Sequence, residues 1–178
     1  VLAAAASYRI IRVGNTTRPW RHKHGEVSAG QIERVAARLR AARPEQLRLV
    51  VVHQPMAVTR AQDEPNLLRG RAAAAQAWAR AGADLVLGGH IHLPFVLALH
   101  ERIAGLPRPL SAVQAGTAVS SRVRHDAGNS VNVVRLGPAG RGRRSAVVER
   151  WDYRPASARF EAAARHDLSF GEPIDGDR

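Results

Sequence analysis

The sequence contains no cysteine, and aromatic residues make up only 4% of its 178 residues. The absence of cysteine excludes disulfide bonds and thiolate metal ligands. Because aromatic side chains are scarce, the core must be built from Ala, Val, Leu and Ile, which favours aliphatic helices packed on a β-sheet. Hydrophobic residues make up 45% of the chain, which is enough for one domain with its own core.

Long apolar runs are also missing, since none approaches the roughly 20 residues needed to cross a bilayer. The apolar residues 1–6 lack both the preceding basic residues and the length of a signal peptide. We therefore expect no membrane span and a cytoplasmic location.

Lysine is almost absent, and acidic residues are few. Lys23 is the single lysine among 27 Lys and Arg residues, which outnumber 15 Asp and Glu and give a net charge of +12. A basic balance favours anionic partners such as phosphates or nucleic acids. A coding bias toward Arg and Ala, with the charges on solvated faces, explains the same composition. Because no aromatic stacking pattern accompanies the arginines, we do not expect nucleic acid to be a partner.

Hydrophobic patterning predicts strand–helix–strand–helix–strand, followed by a run of strands. A first helix is expected after Ser28, which forms a capping box with Gln31, and a second helix over residues 67–81, ending at Gly82. Strands are predicted over residues 8–13, 47–52, 84–87, 95–99, 110–114, 130–136 and 146–153. The fold class is thus α/β, βαβαβ grading into mainly antiparallel strands, in one domain over residues 1–164. Residues 165–178 are predicted to form a polar, frayed tail.

Histidines follow two of the predicted buried strands. His53 comes directly after one strand, and His90 and His92 come after the next, behind Gly88-Gly89. The predicted helix between these strands makes them parallel neighbours, so their carboxyl ends lie at one edge of the sheet. In an extended segment His90 and His92 would face the same way while Ile91 points into the core. Since imidazole is a common ligand of zinc, iron and manganese, this pattern predicts a metal site.

At these residues the sequence resembles the calcineurin-like metallophosphoesterases, in particular the C-terminal half of the class III cyclic-nucleotide phosphodiesterase branch. His53-Gln54-Pro55 is similar to the branch's His-His-Pro motif, with Gln54 in place of the second histidine. Gly89-His90-Ile91-His92 is similar to its Gly-His-x-His motif. The similarity continues at residues 25–31, 114–122 and 129–132, and extends over residues 8–154.

The resemblance implies half of a four-layer α/β/β/α sandwich and a metal-dependent, phosphodiesterase-like phosphoester hydrolase. In the family, the histidines matching His53 and His90 bind one metal, and the histidine matching His92 binds the other. Two divalent ions (Mn, Fe or Zn) activate a hydroxide that attacks phosphorus. The implied partner is a small phosphoester molecule.

Other motifs of the family are missing from this sequence. Asp-x-His and Gly-Asp-x-x-Asp do not occur, and Gly14-Asn15-Thr16 has threonine where the Gly-Asn-His motif has histidine. We therefore expect at most one metal ion, weakly bound, and little or no activity from this chain alone. A missing N-terminal half or a homodimer would be its structural partner. The alternatives are a non-catalytic basic module for phosphates or nucleic acid, and a degenerate remnant.

The remaining polar candidates are weaker. A second His-x-His, His22-Lys23-His24, lies in a polar loop and is read as solvated. Two arginines after a Gly-Thr segment, Arg122 and Arg124, could approach a phosphate, although surface arginines are expected in such a chain. No role is assigned to the isolated histidines or to two serines without a visible base: His100, His125, His166, Ser120 and Ser121.

Overall fold

The computed structural model describes residues 8–12, 24–124, 126–137 and 144–171, with the side chains of 8–12 left out. The fold is mixed α/β, as the sequence predicts, and the described residues form two sheets and two α-helices. The helices are α1 (Ala29–Arg40) and α2 (Arg71–Arg80), with short 3-10 helices at Ala61–Asn66 and Leu99–Glu101. The strands are β1 (Tyr8–Arg12), β2 (Leu47–Val51), β3 (Leu85–Gly88), β4 (Phe95–Ala98), β5 (Ser111–Gln114), β6 (Ser130–Leu136), β7 (Arg144–Arg154) and β8 (Arg159–Phe170).

The larger sheet has the strand order β1-β2-β3-β5-β4. β1, β2, β3 and β5 run parallel, whereas β4 is antiparallel to β5. The prediction that β2 and β3 are parallel neighbours is confirmed by the pairing of Leu49 with Leu85 and of Val51 with Leu87. We call the side of the sheet at which the carboxyl ends of β2, β3 and β5 lie the carboxyl edge, and the side at which their amino ends lie the amino edge. These names refer to the ends of the strands and not to the outer strands β1 and β4.

The central strands are buried on both faces, which explains why their sequences are almost continuously apolar. Val50 and Val52 belong to a hydrophobic cluster that includes both α-helices, whereas Leu47 and Leu49 point to the opposite face. That second face shares a cluster with Ala146, Val148 and Phe170 of the three-stranded β6-β7-β8 sheet. The two sheets therefore share a core, and each central strand has both of its faces covered.

Helix α1 begins as the sequence predicts. The Ser28 side chain accepts a hydrogen bond from the Gln31 backbone N–H, and the Gln31 side chain accepts one from the Ser28 backbone N–H. Helix α2 is shorter than predicted, since it begins at Arg71 rather than at residue 67. Residues 67–70 instead connect α2 to the 3-10 helix that contains Pro65 and ends at Asn66. Gly82 follows α2 with φ +91°, the left-handed conformation typical of a glycine after a helix.

The prediction of a frayed tail from residue 165 is wrong for its first part. Residues through Phe170 complete β8, which pairs antiparallel with β7 along its length. Most side chains of β8 are exposed, so the strand is stabilised mainly by backbone pairing and gives no apolar signal. Only its end is well anchored, because Phe170 is buried. Residues 172–178 lie outside the described residues.

A buried ionic cluster lies at the amino edge. Asp84, fully buried, accepts hydrogen bonds from the Arg48 backbone N–H at 2.8 Å and from Arg108 at 3.1 Å, and forms an ion pair with Arg144 at 3.0 Å. The Arg48 side chain donates to the carbonyl oxygens of Leu39, Ala42 and Arg43. Arg144, the first residue of β7, also donates to the Gln46 carbonyl oxygen, so the cluster ties the two sheets together.

Within the described part of the chain, no helix has the length and apolar character needed to cross a membrane.

Candidate metal centre

The three predicted ligands lie just beyond the carboxyl ends of β2 and β3. The Val52 backbone N–H donates to the Leu87 carbonyl oxygen, and the Gly89 N–H donates to the His53 carbonyl oxygen, both at 2.9 Å. Strand pairing thus continues past the last strand residues and holds the two histidine-bearing loops side by side. The structure brings all three histidines to the carboxyl edge, as the sequence predicts.

His53 and His90 are in direct contact through their rings. Nε2 of His53 lies 3.1 Å from Nδ1 of His90. The ring centroids are 4.9 Å apart, and the planes meet at 68°. His53 is exposed and His90 is partly exposed, so solvent reaches this pair. Two ring nitrogens that face each other so closely share either one proton or one cation, because two lone pairs would repel.

The backbone between the histidines is not extended, which corrects the expectation for this segment. His90 has φ +74° and His92 has φ +56°, in the left-handed region that few residues other than glycine adopt. Ile91 is buried, as predicted, but because of this coiled path rather than strand-like alternation. The left-handed conformation costs about 1–2 kcal/mol per residue. Such strain persists only where its surroundings impose it, and it is concentrated at functional sites.

His92 does not join the other two imidazoles. Its Nδ1 lies 2.7 Å from the carbonyl oxygen of Arg122, in the segment that follows β5. Among the described residues, no group of three or more His, Asp or Glu side chains is placed to hold one metal ion. The structure therefore divides the predicted ligands into a pair, His53 with His90, and a separate third member.

Near the His53–His90 pair, two glycines leave space for glutamine side chains that a Cβ atom would exclude. A Cβ atom on Gly88 would lie 2.5 Å from Oε1 of Gln114, and the Gln114 amide donates to the Gly89 carbonyl oxygen. A Cβ on Gly25 would lie 2.0 Å from Oε1 of Gln54, which is buried. Gln54, the residue that departs from the family motif, is therefore an internal packing residue directly beside the exposed His53.

The segment that carries Arg122 is tied down by side chains that the sequence did not single out as a group. Asn129 donates to the carbonyl oxygens of Thr117 and Ser120, at 3.1 and 3.0 Å. The Ser120 backbone N–H donates to Oγ1 of Thr117, and the Arg122 N–H donates to Oγ of Ser120. Ser120 thus has a structural role as a hydrogen-bond partner in this turn.

Two ion pairs connect the same segment to the 3-10 helix that precedes α2. Nη2 of Arg124 donates to both carboxylate oxygens of Asp63, at 2.7 and 2.6 Å, and Arg60 pairs with Asp126. Asp63 is buried, whereas Arg60 and Asp126 are more exposed. The hydrogen bond from Arg60 lowers the pKa of the Asp126 carboxyl. From the sequence, Arg124 was expected to be a surface arginine or a phosphate contact. Its partner Asp63, which lies 61 positions away, was not predicted.

The other histidines lie apart from the pair. His100 is exposed in the 3-10 helix between β4 and β5, which places it at the amino edge. His166 lies on β8, and His24 precedes α1. Arg122 is exposed and extends from the same segment that contacts His92. His22 and His125 lie outside the described residues.

No protein-family model matches the chain, and a comparison with curated proteins gives no match. The resemblance to metallophosphoesterases therefore stays a prediction carried by the sequence motifs.

Proposed function

We propose that this chain supplies the histidine-rich part of a metal-dependent phosphoester hydrolase site, in which His53 and His90 hold one divalent metal ion. The observation that supports this best is the 3.1 Å separation of His53 Nε2 and His90 Nδ1 at the carboxyl edge of a parallel sheet. That edge is where α/β folds collect their ligands. His92 belongs to the second metal position that the resemblance implies.

The donor pair fits a metal ion by distance and by chemistry. Metal–nitrogen bonds to histidine of about 2.0–2.1 Å place two tetrahedral ligands about 3.3–3.4 Å apart, close to the separation of the two nitrogens. Neutral imidazoles suit zinc, iron and manganese alike. In the metal-free protein one of the two nitrogens must donate a proton to the other. Metal binding requires that this proton move to the far nitrogen of its ring.

A bound divalent ion would lower the pKa of a coordinated water and polarise a phosphoryl oxygen. The contribution of the chain itself is placement. The pairing of their loops holds Nε2 of His53 and Nδ1 of His90 close together, and His90 carries its ring on a left-handed backbone. Arg122, exposed beside His92, offers a guanidinium for the negative charge of a phosphoester.

The same geometry limits what the described residues can bind. Two neutral imidazoles offset none of the charge of a divalent ion. Asp63 and Asp126, which lie on the segments that follow His53 and Arg122, are engaged with Arg124 and Arg60. Because two dications at 3.5–4 Å separation need bridging negative charge, we expect one metal ion per chain, weakly bound. Little or no hydrolysis is then expected from this chain alone.

Calorimetric titration of the chain with zinc and with manganese tests the proposal. We expect a single equivalent in the wild type and an affinity at least about tenfold lower, or 1.4 kcal/mol, in His53→Ala and in His90→Ala. His100→Ala is the matched control, since it removes an exposed histidine from the opposite edge and should change nothing. Unaltered zinc binding in both His53→Ala and His90→Ala would contradict the proposal, and tight binding of two equivalents would contradict its charge argument.

Hydrolysis of bis(p-nitrophenyl) phosphate with added manganese tests the chemistry separately from the binding. Any activity of the wild type should be lost in His90→Ala and kept in His100→Ala. Activity that persists in His90→Ala would assign the hydrolysis to another site.

A further inference from the structure

The contact between His92 and the Arg122 carbonyl fixes the proton on one side of the histidine ring. A carbonyl oxygen only accepts hydrogen bonds, so at 2.7 Å the Nδ1 of His92 must be the donor. The neutral ring then carries its lone pair on Nε2. A histidine held this way by a backbone carbonyl is prepared to bind a metal ion or accept a proton through Nε2 alone.

The position of that carbonyl is itself imposed from both sides along the chain. On the N-terminal side, the Arg122 backbone N–H donates to Oγ of Ser120 at 3.1 Å. On the C-terminal side, Arg124 is two residues away and is bound through one nitrogen to both oxygens of Asp63. The Arg122 side chain takes no part in the contact, because only its main-chain oxygen meets His92.

The ion pair between Asp63 and Arg124 is built differently from its neighbour. Only 2% of the Asp63 side chain and 27% of the Arg124 side chain are exposed, against 54% for Asp126 and 36% for Arg60. A buried ion pair restricts its partners far more than an exposed one, which water and salt compete with. Asp63 lies in the 3-10 helix that follows the His53 loop, so the pair joins the segment carrying Arg122 to the loop bearing a candidate ligand.

We propose that Asp63 and Arg124 are positioning residues that hold the Arg122 carbonyl against His92 and thereby keep Nε2 of His92 free of a proton. The value of a free Nε2 rests on the proposed function, in which His92 belongs to the second metal position. The tautomer itself is a property of the metal-free protein. It can therefore be measured whether or not any metal binds.

Long-range proton–nitrogen NMR of the metal-free protein, labelled with ¹⁵N in its histidines, measures the tautomer directly. In the wild type we expect His92 to show a protonated Nδ1 and an unprotonated Nε2. In Asp63→Asn and in Arg124→Gln the two nitrogens should shift toward a mixture of both tautomers. Arg124→Lys, which keeps the positive charge, should restore part of the wild-type signature.

Two matched controls separate positioning from general damage. Arg122→Ala removes the side chain but keeps the carbonyl, so it should leave the His92 signature unchanged. Asp126→Asn breaks the neighbouring exposed ion pair and should also leave it unchanged. The assignment of the His92 signals is made with His92→Gln.

A wild-type His92 protonated at Nε2 would overturn the proposal, as would an unchanged signature in folded Asp63→Asn and folded Arg124→Gln. Far-ultraviolet circular dichroism shows which variants fold. If neither Asp63→Asn nor Arg124→Gln folds, the His92 signature of Arg124→Lys is compared with that of the wild type instead. Failure of the proposed metal site would appear instead in the His53 and His90 titration. That outcome would leave the tautomer result standing, so the two ideas fail separately.

Discussion

The two edges of the five-stranded sheet differ in how their polar side chains are buried and paired. At the amino edge, the carboxylate of Asp84 is fully buried and bound by the backbone of Arg48 and the guanidiniums of Arg108 and Arg144. At the carboxyl edge, His53 and His90 face each other in a partly open site, with no third acidic or histidine ligand among the described residues.

The backbone repeats this contrast. Among the described residues, positive φ outside glycine occurs at His90 and His92 and in one hairpin turn, at Ala158. The charged residues at the amino edge have no positive φ. A cluster whose charges are paired internally serves stability, whereas two imidazoles that face each other in a partly open position, one of them on a left-handed residue, suit a binding site. The amino edge therefore holds the sheets together, and the carboxyl edge is the candidate site.

The largest effect on stability is expected at the amino edge. Asp84→Ala removes the acceptor of three donors and leaves buried guanidiniums without counter-charge, which should lower the free energy of unfolding by about 3–5 kcal/mol. Asp84→Asn keeps one oxygen acceptor and should cost less. Urea denaturation measures both variants, with His53→Ala as the comparison from the exposed carboxyl edge. A loss in Asp84→Ala no larger than that in His53→Ala would erase the distinction between the edges.

At the carboxyl edge, a difference in stability of similar size should appear only when metal is added. A ligand that binds the folded state alone stabilises it by about 2.7 kcal/mol at a concentration of one hundred times Kd. We expect zinc to raise the thermal midpoint of the wild type and of His100→Ala, and EDTA to reverse the rise. In His53→Ala the rise should fall to about half or less, because a tenfold weaker site stabilises the protein by only about 1.4 kcal/mol at the same zinc concentration. An equal rise in all three proteins would place zinc elsewhere on the chain.

Local signals in the sequence predicted the elements that position the site. The apolar runs of β2 and β3 and the helix between them predicted parallel pairing, and hence that His53, His90 and His92 lie at one edge of the sheet. The Ser28 capping box predicted the start of α1 within one residue. These features depend on residues near one another in the chain, or on a crossover whose handedness and pairing follow general rules.

Features that depend on distant contacts were not predictable in this way. The backbone at His90 and His92 was expected to be extended, whereas it is left-handed. The His-x-His spacing alone carries no information about φ, so this difference was not predictable. The pairing of Asp63 with Arg124 joins residues far apart in sequence, and one of the two lies in an unpredicted 3-10 helix. The strand β8 was missed because its exposed side chains show neither an apolar face nor a turn signal.

Backbone strain at the carboxyl edge gives a smaller, testable effect. Glycine adopts positive φ without steric cost, so His92→Gly should be more stable to unfolding than His92→Ala by about 1 kcal/mol. Ala158→Gly should likewise stabilise the hairpin turn. At Ala41, where φ is −76°, glycine should instead destabilise the protein. The unfolding free energies of these variants measure the effect, and His92→Gly no more stable than His92→Ala would mean that the strain is absent.

The smallest expected effect is a pH dependence of the amino edge. Burial raises the pKa of the Asp84 carboxyl, and Arg144, the Arg48 backbone N–H and Arg108 oppose that rise without cancelling it. As the pH falls from neutral toward the unfolded-state pKa of about 3.9, folded Asp84 binds a proton before the unfolded chain does. Acidification should therefore stabilise the wild type relative to Asp84→Asn, which has no such proton to bind. Urea denaturation of both proteins at neutral and mildly acidic pH measures this difference. If the difference in unfolding free energy between the wild type and Asp84→Asn shrank on acidification, the arginines would lower the pKa of the Asp84 carboxyl more than burial raises it.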